Sequence, residues 1–578
     1  MKLKRILLHP ASGGRRARSA LGVIGLLVVA AWSIGAKGSG PADGATREYL
    51  ATVSRGKTFW GEPYELAGNR IFFTDWYFIQ PGNLSWENRQ GERINEAEER
   101  SKDPVYDEWA AQLSHPSSPH GIRIVVQPAQ RVGPVLQREK PWESGSVIFK
   151  TVLRNGDRYQ AWGKCEPGGD CYFESKDGVH WERPALGQVE FNGSRDNNLL
   201  KPGPTGQVFI DPHAPPEERY KSVGGQRVSL AEFQAFVSKH PDRWETRVIR
   251  GSWDHPETFY CLRGAVSPDG IHWKELPEPF TIEHSDGMET GYYDATLGKY
   301  VIYTRTYLVG PRSPRWNGDI QQRTWVGESH GSGRRVVGRT ESPTFGDFPL
   351  SEPVIVPVPE ETSPSEEFYT SIHTTLPGAP DEHLMFPTVW ETRDDTTSIG
   401  VWSSHDGRLW SRIPGPPVLT TAPFGAWDGG CIFSFPGLIE LPNGDFALPY
   451  KGYNLPHKYP RGKMELYAGY AVWPKGRLVA VQADDVGEFA TVGILPPGHT
   501  LKINAVTKRA GGIRVELCRI NDQVVAGRTF SDCDIVQGDA FWKTVTWKGE
   551  SDLKTADGEA LVIRVRIERG QLFGIEFD

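Results

Sequence analysis

Four acidic residues each stand just ahead of an apolar strand pattern: Glu143 in Pro141-Trp142-Glu143-Ser144-Gly145, Asp286 in His284-Ser285-Asp286-Gly287, Glu367 in Ser365-Glu366-Glu367-Phe368-Tyr369, and Asp428 in Trp427-Asp428-Gly429-Gly430. Carboxylates gathered into one pocket raise one another's pKa, which leaves one protonated as an acid and another charged as a base or nucleophile. Two such groups are the minimum for hydrolysing a glycosidic bond. An acid before a strand also serves as a turn cap, but four at matching places, each within two residues of a Trp, His or Tyr, form a pattern. Strand phase alone decides between Glu366 and Glu367. Other polar groups near these entries could meet sugar hydroxyls or developing charge: His284, Arg305, Arg334, Arg335, His373 and Lys451. Trp142, Trp390 and Trp427 are candidate stacking platforms for a sugar face.

These residues can converge only if repeated elements carry them. The phrase Ser-x-Asp-Gly-x-x-Trp occurs three times, from Ser175 to Trp181, Ser267 to Trp273 and Ser404 to Trp410, with a decayed copy from Glu341 to Phe348. A polar turn closed by Trp suits a tight hairpin between outer strands, and its recurrence reads as a β-propeller. Five blade-like units follow, at about 142–190, 207–279, 284–357, 366–419 and 425–481. Propeller sites lie at the axis where the innermost strands begin, which is where the four acids stand. The apolar run Arg70–Ile79 (RIFFTDWYFI) is the expected closing strand of the last blade. Insertions are expected near 84–120, charged, partly helical and lying over one face, and near 228–256. In the second, Ser229-Leu230-Ala231-Glu232 is a capping box opening a short helix. Beyond 484 the alternation of apolar and polar residues has no further blade turn, which predicts a C-terminal β-sandwich over 485–578. The fold class is therefore all-β, a five-bladed β-propeller (70–484) followed by a C-terminal β-sandwich.

The chain has 578 residues, 64 of them Gly and 45 Pro, as expected of many short strands joined by turns. A net charge of −7 without a basic stripe excludes a nucleic-acid partner. The N-terminus carries basic residues, then an apolar stretch from Leu21 to about Ala36 that is shorter than the roughly 20 residues of a spanning helix. It reads as a signal peptide over 1–36 followed by a linker to 69, with Arg15-Arg16 loosely suggesting twin-arginine export. A secreted or periplasmic protein with no membrane contact after cleavage is expected. Export permits disulfides. Of six Cys, Cys165 and Cys171 flank a hairpin turn and are the local pair, Cys261 and Cys431 read as buried thiols, and Cys518 and Cys533 lie in the last domain. No Cys/His spacing resembles a zinc site.

The blade grammar resembles that of the five-bladed glycosidases of glycoside hydrolase families 32, 43 and 68. It resembles more closely uncharacterised exported proteins related to family 32 in planctomycete-type bacteria. The matching phrases are FFTDWY (72–77), KPWE (140–143), SKDGVHWERPALGQVEFNGSRDNN (175–198), APPEERYK (214–221), SPDGIHW (267–273), LGKYV (297–301) and DCDIVQGDAFWKTVTWKGESDL (532–553). The resemblance implies an exported glycosidase acting on a poly- or oligosaccharide. By position it makes Glu143 nucleophile or base, Asp286 transition-state stabiliser or pKa tuner and Glu367 general acid; the residue reading itself puts Trp142, His284, Arg305, His373, Trp427 and Asp428 around the substrate. The families have Asp at the first position and Arg-Asp-Pro at the second, where this chain has Glu143 and Ser285-Asp286-Gly287. No cofactor is expected to be required, and the acids at the propeller axis could hold a structural Ca2+. Two other readings stay open: a carbohydrate-binding propeller whose acids coordinate hydroxyls or Ca2+, and a sialidase-like exo-glycosidase.

Overall fold

A computed structural model describes residues 63–81, 85–87, 93–95, 119–245, 258–284, 286–308, 334–520 and 523–578. The expected signal peptide, most of the linker, most of the segment at 84–120, and residues 246–256 of the insertion expected near 228–256 lie outside the described residues. The described chain is almost wholly β. No helix in it is long and apolar enough to cross a membrane.

Five antiparallel arrays follow one another. Sheet I comprises Ser146–Asn155, Arg158–Glu166 and Gly169–Ser175, with Glu182 bridging to Glu174. Sheet II comprises Gln207–Ile210, Tyr220–Ser229, Thr258–Ser267 and Lys274–Glu275. Sheet III comprises Thr290–Asp294, Lys299–Leu308, Arg334–Ser342 and Glu352–Ile355. Sheet IV runs as two ladders, because its first strand is interrupted between Glu366–Phe368 and His373–Leu376. Tyr369 N–H donating to Thr388 O (2.7 Å) and Phe386 N–H to Ile372 O (2.8 Å) carry the chain across the break. Sheet V holds Cys431–Ser434, Phe446–Tyr453 and Leu466–Trp473, and its outer strand is Gln130–Val132.

The first strand Ser146–Asn155 buries its apolar residues Val147, Ile148, Phe149 and Val152, whereas the outer pair Lys274–Glu275 is exposed. Backbone N–H groups reach across every interface between arrays. Val208 donates to Thr151 Oγ1 (3.0 Å), Gly291 to Gln207 Oε1 (2.8 Å), His373 to Thr290 Oγ1 (3.1 Å), Ser434 to Thr388 Oγ1 (3.1 Å) and Val152 to Pro436 O (3.2 Å). The last of these returns from sheet I to sheet V, so the succession closes on itself.

The Ser-Asp-Gly turns follow the sequence closely. Ser267 Oγ accepts from Gly270 N–H (2.9 Å), Asp269 Oδ1 accepts from Ile271 and His272 N–H (2.9 and 2.8 Å), and Gly270 takes φ +79°, which a β-carbon would strain. Against partial burial, which pushes the other way, the hydrogen bonds from His272 and Ile271 hold Asp269 down to about 2. The glycine carbonyls are docking points: Gly178 O accepts from Tyr470 of sheet V (2.9 Å), Gly270 O from Trp162 of sheet I (2.6 Å) and Gly407 O from Tyr303 of sheet III (2.6 Å). Each turn thereby fastens its own sheet to the preceding one.

Three expectations differ from what the fold contains. The run from Arg70 does not complete sheet V: Arg70–Ile71 pairs with Leu561–Phe577, and Phe73 and Phe78 fill the C-terminal core. Sheet V is completed by Gln130–Val132, against Tyr470–Val472. Apolar content identifies a strand to be buried, not its partner. The C-terminal sheet also takes Tyr64–Glu65, Arg123–Val126 and Val479–Ala490, so it draws on the expected linker and starts before 485. It is one eight-stranded network around the long strands Leu501–Arg519 and Leu561–Phe577. In the charged segment after 84, the described residues form a hairpin of Ser85–Glu87 and Arg93–Asn95. The helix at 230 is present as Leu230–Lys239, with Ser229 N–H donating to Glu232 Oε2 (2.9 Å). Cys165 and Cys171 are disulfide-bonded across their hairpin; Cys261, Cys431, Cys518 and Cys533 are buried thiols.

Candidate functional site

All four entry acids meet an arginine. Glu143 lies in a 3-10 turn, Pro141–Glu143, with Oε1 2.6 Å from Arg183 Nε and Oε2 accepting from the backbone N–H of Glu139 (3.0 Å) and Lys140 (3.3 Å). Asp286 pairs with Arg305. Glu367 Oε2 is 2.6 Å from Arg335 Nη1. Asp428 Oδ2 is 2.5 Å from Arg131 Nε and accepts from the Tyr450 hydroxyl (2.8 Å). The mutual repulsion expected of gathered carboxylates is thus met locally by guanidinium charge.

Two of the four share one neighbourhood. Arg305 and Arg335, on adjacent strands of sheet III, each place their guanidinium carbon 4.9 Å from the ring centre of Tyr369. Arg305 brings Asp286 to that ring and Arg335 brings Glu367. The break in the first strand of sheet IV positions Tyr369: Glu367 and Phe368 are buried, and Tyr369 keeps a small exposed fraction while its phenol is enclosed. Glu366 turns away, its carboxylate accepting from Ser363 N–H (2.9 Å). His284 Nε2 lies 3.2 Å from Asp286 Oδ1 and packs on Tyr260 and Tyr307; burial, then Arg305 and Arg335, push the imidazole down to about 3, so it is neutral in water. The Asp286 side chain is 35 % exposed and Arg305 1 %, so the carboxylate is the part of the pair that a ligand can reach.

Sequence reasoning passed over Tyr369, His457 and Lys458. His457 Nε2 is 3.0 Å from the Tyr369 hydroxyl, and Lys458 Nζ lies 4.9 Å from the Trp390 ring centre. Burial pushes the Tyr369 phenol up, but Arg305, Arg335 and Lys458 outweigh it and hold its pKa below the ordinary value. Tyr369 sits two residues after a candidate acid, so it was in view; His457 and Lys458 lie in a loop without a repeat equivalent.

The other expected contacts are placed elsewhere. Glu143 and Arg183 share no contact with the Tyr369 group. Trp142 donates to Asn198 Oδ1 (2.9 Å), and Gly168 packs against its Cβ. Trp427 stacks on Tyr450 at 5.5 Å, with Gly133, Gly452 and Gly469 against its ring. Trp390 is buried, donates to Asp395 Oδ1 (2.9 Å) and lies 5.3 Å from Arg335. His373 is buried between Tyr292 and Tyr303, 2.9 Å from His383 Nδ1, where burial holds it neutral. Asp428 and Arg131 clasp the outer strand of sheet V. Arg334 donates to Ser363 O and Glu366 O (2.6 and 3.0 Å), and Lys451 faces Phe433, Phe435 and Tyr453. Among the described residues, no three His, Cys, Asp or Glu side chains form a group that could hold a metal ion.

No protein-family model matches the chain, and no curated protein matches it. Solved structures similar to it include a thermostable family-43 glycoside hydrolase (14 % identity over 58 % of this chain and 92 % of that one, TM-score 0.35). The Bombyx mori GH32 beta-fructofuranosidase BmSUC1 is 9 % identical over 77 % of this chain and 95 % of its own, TM-score 0.33. An N-acetylgalactosamine deacetylase from F. plautii, in complex with blood group B trisaccharide, is 13 % identical over 61 % and 96 %, TM-score 0.33. At such scores none of these likenesses carries an activity over to this chain, and none bears on the resemblance to planctomycete-type proteins.

Proposed function

We propose that the five arrays are the blades of a propeller, that the C-terminal sheet folds over as its sandwich, and that the protein is an exported glycoside hydrolase acting on a poly- or oligosaccharide. The observation that carries this reading is the meeting of Asp286 and Glu367, from successive sheets, on the ring of Tyr369 through Arg305 and Arg335, with the Asp286 carboxylate the exposed member. Asp286 is the reachable carboxylate and takes the proton-transfer role, while Glu367 holds Arg335 in place. This reverses the roles implied by position and leaves Glu143 as a structural acid. Export rests on the basic and apolar N-terminal residues.

The test is release of reducing ends from a panel of polysaccharides and nitrophenyl glycosides by wild type and Asp286→Asn. Turnover by wild type that the variant loses is the expected result; equal turnover by both removes Asp286 from the chemistry. A specific observation favours a second reading, a carbohydrate-binding protein: each entry acid already has its own arginine. That reading requires glycan binding without any release of reducing ends.

A further inference from the structure

The C-terminal sheet holds a cavity that the chemistry at Asp286 does not use. Side chains alternate along its strands, so Val515 and Val565 enter the core while Arg514, Glu516, Arg564 and Arg566 share the opposite face. Thr529, Phe530 and Ser531 cross that face. Phe530 N–H donates to Glu516 Oε2 (3.2 Å), and the Phe530 ring centre lies 4.4 Å from the guanidinium carbon of Arg566. The three residues and Arg514, Glu516 and Arg566 line a cavity of about 440 Å³, within the range of small-ligand sites. We propose that it binds an acidic sugar residue, a uronate, whose carboxylate lies between Arg514 and Arg566.

Unused donors select the carboxylate. Arg514 and Arg566 stand opposite each other in the ladder, a like-charge pair. Each has one glutamate: Arg514 Nη1 meets Glu568 Oε1 (3.3 Å), and Arg566 turns Nε and Nη2 to Glu488 Oε2 (both 2.9 Å). Arg514 Nε and Nη2 and Arg566 Nη1 have no acceptor among the described residues. Glu516, the carboxylate of the lining, has none to offer them, because Arg564 Nη1 takes Oε1 (2.5 Å) and Phe530 N–H takes Oε2. An incoming carboxylate supplies the missing oxygens.

The loop selects hydroxyls. Thr529 Oγ1 is 2.8 Å from Asp532 Oδ2 and 2.8 Å from Ser531 Oγ. The Asp532 carboxylate, ion-paired with Lys548, can only accept, so Thr529 donates to it and Ser531 donates to Thr529. Ser531 Oγ therefore faces a ligand as an acceptor, matched to a sugar hydroxyl. A surplus of donors on the sheet and an acceptor on the loop together describe a polyhydroxy acid.

The experiment is isothermal titration calorimetry on the full-length protein at low salt. Glucuronate or galacturonate should bind, glucose and galactose should not, and added sodium chloride should weaken the binding. Arg514→Gln should weaken it about tenfold or more. Asp286→Asn should bind as wild type does, which keeps this site separate from the proposed active site, so that failure here leaves the glycosidase reading standing and absence of hydrolysis leaves this site standing. No heat from either uronate, equal binding of the neutral sugars, sulfate binding as tightly as the uronates, or wild-type affinity in Arg514→Gln each overturns the proposal. Should Arg514→Gln fail to fold, Ser531→Phe at the exposed loop fills the cavity and must abolish uronate binding; retained binding overturns the proposal equally.

Discussion

Arg183 and Glu143 meet at 2.6 Å with almost no solvent on either side chain. Breaking a buried ion pair from one side strands the other charge and costs about 3–5 kcal/mol. Glu143→Gln is therefore expected to destabilise the protein by that amount in urea denaturation, while the folded fraction keeps its turnover within a few-fold. Lost turnover at unchanged stability would place Glu143 in the chemistry.

Asp286→Asn is expected to lower hydrolysis by about 10²–10⁴-fold, the range for removing a positioned acid or base. The amide oxygen introduced by this change can still accept from Arg305, so circular dichroism should show a folded protein with a modestly lower melting midpoint. A loss of activity that only tracks the folded fraction would contradict the role.

Glu367 and Arg335 should behave as one unit. Glu367→Gln and Arg335→Met are each expected to cost about 3–5 kcal/mol, and the double variant less than their sum, because the second change removes a charge the first left stranded. Additive costs in chemical denaturation would show that the pair does not couple.

Glu283 supplies a pH dependence of known sign. Burial pushes its carboxyl up to about 7 from an ordinary 4.5, against hydrogen bonds donated by Thr281 (2.7 Å) and Ser351 (3.1 Å) to Oε1. A folded pKa above the unfolded one contributes stability that is full below about pH 4.5 and is lost as the pH rises through about 7. That contribution is about 3 kcal/mol. Since Gln does not titrate, unfolding free energies of wild type minus Glu283→Gln should fall by about that amount between roughly pH 5 and pH 8. A flat difference would mean that Glu283 is charged in the folded protein.

What the sequence revealed and what it hid separate by range. Seven residues contain everything the Ser-Asp-Gly turn needs, the capping oxygens, the positive-φ glycine and the Trp, so three turns could be read directly. The entry acids could be found by repeat position, but their partners could not: Arg183 lies 40 residues from Glu143, Arg335 lies 32 before Glu367, and Arg131 lies 297 from Asp428. No local pattern couples such pairs. The outer strand of sheet V was hidden for the same reason. Gln130–Val132 is exposed along its length and carries no apolar signal; backbone hydrogen bonds and the Arg131 pair select it. The apolar run from Arg70 was conspicuous and belongs to another core.

The stretch from Arg123 to Val132 enters the C-terminal sheet and then sheet V within ten residues. During synthesis its pairing surfaces, Val479–Gln482 and Tyr470–Val472, emerge only after most of the chain has left the ribosome. The succession of sheets cannot close until residue 482 has been made, and removing the C-terminal strands by proteolysis would cut the tether that holds the clasp in register.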